Sequence, residues 1–155
     1  MKLRKAEKRD ERLLQDWLND PTVSLLTTGK ELFSTEIYEK WLDAEDQHGY
    51  ILQIDDQPLA YGEIWVDEEE RDLELAHLIV HPHYRNKGIG KQLIEKLEEE
   101  SRCFPFPWIY MRVVPENLIA IHCYIGAGFK EDESLRDSFD SKWIWFKKRN
   151  VWSFL

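Results

Sequence analysis

The amino-acid sequence predicts a mixed α/β (α+β) domain that takes in residues 1–155. Three observations lead there. Short apolar runs bounded by Asp, Pro and Gly turns interleave with longer runs whose apolar residues recur at helical spacing. A chain of 155 residues suits one domain, large enough to bury roughly two-thirds of its unfolded surface without disulfides or metal. No internal repeat, linker or low-complexity segment divides it.

Lys2 to Lys5 reads as a first strand. Asp10 is placed to cap a helix with Leu13, Leu14, Trp17 and Leu18 on one stripe, ending near Asp20-Pro21. Ser34 or Thr35 caps a second helix that buries Ile37, Tyr38, Trp41 and Leu42. Tyr50 to Ile54 and Leu59 to Val66 are strands around the Asp55-Asp56-Gln57-Pro58 turn. Asp67 to Arg71 then turns the chain into a strand at Leu73 to Val80, giving an antiparallel meander. A helix from Ile89 to Glu100 turns Ile89, Leu93 and Leu97 inward, and its acidic end at Glu98-Glu99-Glu100 opposes the macrodipole and is expected to fray. Trp108 to Val114 is the next strand, Asn117 caps a helix through Ile125, Phe129 begins another strand, and Lys142 to Lys148 closes the sheet. The polar, acidic stretch EDESLRDSFDS at 131–141 reads as a solvated loop.

Bulk properties exclude more than they assign. Lys plus Arg is 21 and Asp plus Glu is 30, a net charge of −9 that fits neither a nucleic-acid partner nor an anionic membrane and suits a cationic substrate. The start, MKLRKAEKRDERLL, lacks an apolar signal region and no run reaches bilayer length, so a cytoplasmic protein is expected. Cys103 and Cys123 are too few for a zinc motif and read as buried thiols. His81 and His83 flank a proline without carboxylate or thiol partners, a poor ligand set, so no metal is expected.

The segment LELAHLIVHPHYRNKGIG at 73–90 runs from an apolar strand into a basic loop that opens a helix. Two glycines remove the Cβ atoms that would keep a diphosphate from converging backbone N–H groups, and the helix start adds a partial positive charge. Arg85, Lys87 and Lys91 add formal charge. Neither a P-loop run nor a three-glycine dinucleotide fingerprint is present.

Arg85, Gly88 and Gly90 match the Arg/Gln-x-x-Gly-x-Gly/Ala signature of the GNAT superfamily of N-acetyltransferases, which the chain resembles from Lys2 to Lys148. A second family motif lies in Asn117 through Phe129, with Asn117, Ala120, Tyr124 and Gly128-Phe129 in register. The resemblance implies the GNAT fold: a central mixed, mostly antiparallel sheet of six to seven strands flanked by about four helices on both faces, in the order β-α-α-β-β-β-α-β-α-β-β. It also implies acetyl-CoA as acetyl donor, held by Arg85, Asn86, Lys87, Gly88, Ile89, Gly90 and Lys91, by the fourth-strand backbone at Leu78, Ile79 and Val80, and by Asn117.

Acetyl transfer needs an acid for the departing thiolate and a base for the acceptor ammonium. By the resemblance, Tyr124 is the acid, two helical turns after Asn117. Glu74, eleven residues before Arg85, matches a catalytic glutamate of the histone-acetyltransferase branch, with Glu63 and His77 as competitors. Whether the fourth strand bulges toward the thioester is not legible in the residues. Trp17, Trp41, Tyr61, Trp65, Trp143 and Trp145 read mainly as core, with some available to an acceptor pocket.

The implied activity is direct attack by a primary amine on acetyl-CoA in a ternary complex, with a small cationic acceptor, aminoglycoside-like or polyamine-like. A peptide amino terminus and a non-catalytic acyl-CoA-binding regulatory module are the alternatives. The chain is expected as a monomer, or as a homodimer through Val151 to Leu155.

Overall fold

The computed structural model describes residues 1–135 and 142–152. Its strands are β1 (Lys2–Lys5), β2 (Gln47–Ile54), β3 (Gln57–Asp67), β4 (Asp72–Val80), β5 (Trp108–Val113), β6 (Lys130–Glu131) and β7 (Ile144–Arg149). The helices are α1 (Glu11–Trp17), α2 (Pro21–Thr28), α3 (Thr35–Asp43), α4 (Ile89–Ser101) and α5 (Leu118–Gly126). One sheet runs in the order β1-β2-β3-β4-β5-β7-β6. Every neighbouring pair is antiparallel except β4 and β5.

Two apolar cores cover the two faces of this sheet. Leu93, Ile94 and Leu97 of α4 pack with Leu73, Leu75, Ile109 and Met111 on one side. On the other, Leu14 and Trp17 of α1 and Tyr38 and Trp41 of α3 pack on Ile51, Tyr61 and Ile79. The mixed sheet flanked by helices is therefore as expected, with three departures.

The first is α2. Asp20-Pro21, read as a helix end, starts one instead: Asp20 Oδ1 accepts the N–H of Thr22 at 2.8 Å, and Pro21 sits where its missing N–H is harmless. The second is β7, which inserts between β5 and β6 rather than closing an edge. The third is the end of α4. It runs on to Ser101, where the buried Ser101 hydroxyl donates to Leu97 O at 2.7 Å and Lys148 reaches Glu98 at 2.9 Å. Cys103 is exposed and Cys123 half-buried, so the two thiols are not both interior. The acidic loop at 131–141 is described only to Leu135, and the tail only to Trp152, so both readings lie partly outside the described residues. Among the described residues no helix is long and apolar enough to cross a membrane.

Asp10 does not cap α1 with its side chain. It is 2 % exposed and forks onto Arg4, with oxygens 2.7 and 2.8 Å from the guanidinium, while the Glu7 N–H donates to the same carboxylate at 2.8 Å. Burial alone would push this carboxyl up, but Arg4 and the Glu7 N–H outweigh it and hold the group below its ordinary value. A depressed folded-state pKa contributes stability above the unfolded value, near roughly pH 4, and loses it as the pH falls through the folded value. Asp10→Ala is expected to lower stability by about 3 kcal/mol in urea denaturation at pH 7, since it strands Arg4 half-buried. The part of the acid-side decline that belongs to Asp10 should vanish in the variant.

Candidate active site

β4 and β5 form the opening on which the site is built. They pair in parallel at only two positions, Leu73 with Ile109 and Glu74 with Tyr110, and separate beyond them. The β3 side of β4 is also interrupted. Tyr61 faces Ile79 and Glu63 faces Ala76, so His77 and Leu78 together stand opposite the single residue Gly62. This is a β-bulge, with His77 at φ +50°. A Cβ on Gly62 would lie 2.8 Å from Leu97 Cδ1 and 2.9 Å from Leu78 Cδ2, which explains the absent side chain beneath the bulge.

At the end of β4 the chain enters the basic loop. Gly88 caps α4 at φ +81°, with nothing within 4 Å of where a Cβ would stand. Asn86 is also left-handed at φ +61°. The first helical N–H to find an acceptor is that of Gln92, on Gly88 O at 3.2 Å, so the preceding amides at the helix start are left for an anion. Asn86, Lys87 and Gly88 are exposed beside them, while the Ile89 side chain is buried in the core. An anion such as the diphosphate of coenzyme A fits this cradle.

Two loop residues have other tasks as well. Arg85 donates to Val80 O at 3.2 Å and to Trp17 O at 3.4 Å, tying the loop to β4 and to the end of α1. Gly90 allows contact between helices: a Cβ there would stand 3.2 Å from Cys123 Sγ on α5.

α5 runs beside α4. Asn117 Oδ1 accepts the Ala120 N–H at 3.2 Å as its cap. Tyr124 packs edge-on to Phe146, with ring centroids 6.0 Å apart. Among the described residues none bonds its hydroxyl. Burial, with added repulsion from Cys123 and Glu74, pushes the phenol well above its ordinary value and keeps it protonated.

The face opposite α4 carries an acidic and aromatic cluster. Glu63, 1 % exposed, accepts from Tyr61 Oη at 2.5 Å and from Trp65 Nε1 at 2.7 Å. His77 Nδ1 lies 3.1 Å from Glu63 Oε1, out of line for a hydrogen bond, and its ring stacks on Trp41 at 4.0 Å. Glu74 is gripped by Arg112, with Oε2 2.7 Å from Nε and Oε1 3.1 Å from Nη2. Burial outweighs that pairing and raises the Glu74 pKa.

Arg112 was not among the residues singled out from the sequence. It sits over Trp65 at 5.5 Å, Trp143 at 5.5 Å and Trp145 at 4.9 Å, so three of the tryptophans open to an acceptor already surround a cation of the chain itself. Its signal was the alternation Tyr110-x-Arg112 on β5, which places it on the face of Glu74 only once the β4–β5 register is known. Trp17 and Trp41 are core, as expected.

The chain is similar to known proteins. The chain is 28% identical over 146 residues to the aminoglycoside N(6')-acetyltransferase type 1 of Klebsiella pneumoniae, an alignment covering 83% of this chain and 73% of that one. The spermidine N-acetyltransferase from Vibrio cholerae in complex with CoA and spermine superimposes with a TM-score of 0.76 at 20% identity, over 96% of this chain and 94% of that one. The ribosomal-protein-alanine N-acetyltransferase from Brucella melitensis gives a TM-score of 0.75 at 20% identity, over 96% and 99%. At that identity the two structures establish the fold alone. Against the uncharacterized N-acetyltransferase of Methanocaldococcus jannaschii the identity is 30% over 105 residues, 64% of this chain, and the match spans about half of that relative, 46% of its length. The model of the acetyltransferase (GNAT) family matches residues 11–129, and with a separating β4–β5 pair and a glycine-opened α4 inside that span, the chain belongs to this family.

Proposed function

We propose that the chain is an acetyl-CoA-dependent N-acetyltransferase acting by direct attack of a primary amine. The observation that carries this reading is the gap between β4 and β5, and the open amides at the start of α4 and a Tyr124 hydroxyl with no partner among the described residues support it. Acetyl-CoA supplies an activated acetyl group as a thioester. The α4 amides with Lys87 and Lys91 hold its diphosphate, Asn117 lines the same side, and the Leu78–Val80 backbone along the gap orients the pantetheine arm. The bulge at His77-Leu78 breaks the β3 ladder where an N–H is needed for the developing oxyanion. Tyr124 donates its proton to the departing thiolate. Glu74, expected as the base, has both oxygens on Arg112, so its part is to hold that guanidinium among the tryptophans.

The acceptor is a small cationic amine, a reading supported by the net charge of −9 and by the aminoglycoside-acetylating relative. Glu63 and Glu74 are both taken by the chain's own donors. The test is thiol release from acetyl-CoA with monoamines, polyamines, aminoglycosides and amino-terminal peptides. Turnover with polyamines or aminoglycosides at least tenfold above monoamines and peptides is expected. A peptide preference would move the chain to the amino-terminal acetylating class, and no release with any amine would leave a binding module.

A further inference from the structure

Side-chain alternation along β4 reverses at the bulge. Leu73 and Leu75 point into the α4 core, and Leu78 and Val80 also pack there, whereas Ile79 points into the α1–α3 core. Odd-numbered residues thus change face between Leu75 and Ile79. Without the extra residue His77 would follow Leu75 under α4. With it, the imidazole lands on the opposite face, stacked on Trp41 at 4.0 Å and edge-on to Trp65 at 5.3 Å.

The bulge delivers the ring to a carboxylate that is already satisfied. Trp65 Nε1 can only donate, so Glu63 Oε1 is an acceptor there, and His77 Nδ1 stands 3.1 Å from the same oxygen without an in-line hydrogen bond. A neutral imidazole with its proton on Nδ1, toward that carboxylate, keeps its lone pair on Nε2. Nδ1 itself is buried without an in-line partner, while 14 % of the side chain stays exposed. Glu63 holds hydrogen bonds from Tyr61 and Trp65 without His77, so the network closes structurally without this residue.

We propose that His77 is the catalytic base of the acetyl transfer and that Glu63 is its positioning residue. The ammonium N–H bond breaks and its proton goes to Nε2. The freed lone pair forms the C–N bond, the C–S bond breaks, and the thiolate takes the Tyr124 proton. The second amine proton restores the phenol as the amide forms, and the imidazolium releases its proton to solvent.

Titratable and charged groups around the imidazole are Glu63 from β3, 3.1 Å away and bonded by Tyr61, and Glu74 from β4 with its partner Arg112 from β5. The base rests on the acetyl-transfer reading, so activity of the unaltered chain with its best amine is measured first. Its absence would count against that reading and remove the base with it. In an active chain, kcat/KM is expected to rise with pH on a limb between about pH 5 and 8, where imidazoles titrate. His77→Gln should lose that limb and at least tenfold in kcat/KM at pH 7, with coenzyme A binding by calorimetry unchanged. Glu63→Gln should keep the limb and lower kcat with KM and coenzyme A binding nearly unchanged, as expected of a residue that only orients the ring. A His77→Gln enzyme with the original limb, or one slowed equally at every pH, would overturn the proposal. If His77→Gln does not fold, a folded His77→Asn enzyme that keeps the original limb overturns it in its place.

Discussion

Gly88→Val is expected to weaken coenzyme A binding by at least a hundredfold, about 2.7 kcal/mol, in isothermal calorimetry on the folded protein. Two effects combine. Gly88 sits at φ +81°, where a β-branched residue is strained by roughly 1–2 kcal/mol. Nothing of the protein lies within 4 Å of the added Cβ, so the valine has room in the unliganded chain, and on the proposed reading it fills the space the diphosphate would take. Strain and obstruction are separable. Gly29 closes α2 at φ +79° and is likewise open around its Cβ, so Gly29→Val carries the same backbone strain away from the loop. Both variants should lose comparable stability, and only Gly88→Val should lose coenzyme A. Normal binding by folded Gly88→Val would remove the cradle from this loop, and with it the assignment of Asn86, Lys87 and Lys91 to the diphosphate.

The site divides into what local pattern encodes and what only register encodes. Arg85, Gly88, Gly90, Asn117 and Tyr124 are readable because turn geometry and helix caps are local, and the structure finds the same loop, cap and helix there. The helix at Pro21–Thr28 was also local, but Asp-Pro stops one helix as readily as it starts another, and the β-branched run after it gave no apolar stripe to decide. The bulge is another matter. His77 could not be placed on either face from alternation, because the residue count that flips it is set by pairing with β3. The partner of Glu74 was hidden in the same way: its spacing from Arg85 is visible along the chain, whereas the arginine that takes both its oxygens comes from β5, 38 positions away. β7 enters between β5 and β6 for reasons of sheet pairing that no local signal carries.

Tyr124→Phe is expected to lower kcat at least tenfold, about 1.4 kcal/mol of barrier, while leaving coenzyme A affinity and folding stability nearly as they were. The structure makes this substitution unusually clean. The hydroxyl has no partner among the described residues, so its removal strands no buried donor or acceptor, and the edge-on packing against Phe146 is kept by the phenylalanine ring. Stability should therefore change by no more than about 0.5 kcal/mol. What is lost is the proton. Burial first, and then Coulombic repulsion at Cys123 and Glu74, raises the phenol above its ordinary value, so it stays protonated and can serve as the proposed donor to the departing thiolate. Without it the sulfur departs as an anion into a half-buried cleft, or waits for water. The effect should be largest for alkanethiol leaving groups such as coenzyme A and smaller for an aryl thioester, whose thiolate is a weaker base and needs less help. Single-turnover measurements keep product release from hiding the chemical step. Equal single-turnover rates for the unaltered and Tyr124→Phe enzymes with acetyl-CoA would strip the phenol of the acid role and leave water as the proton source.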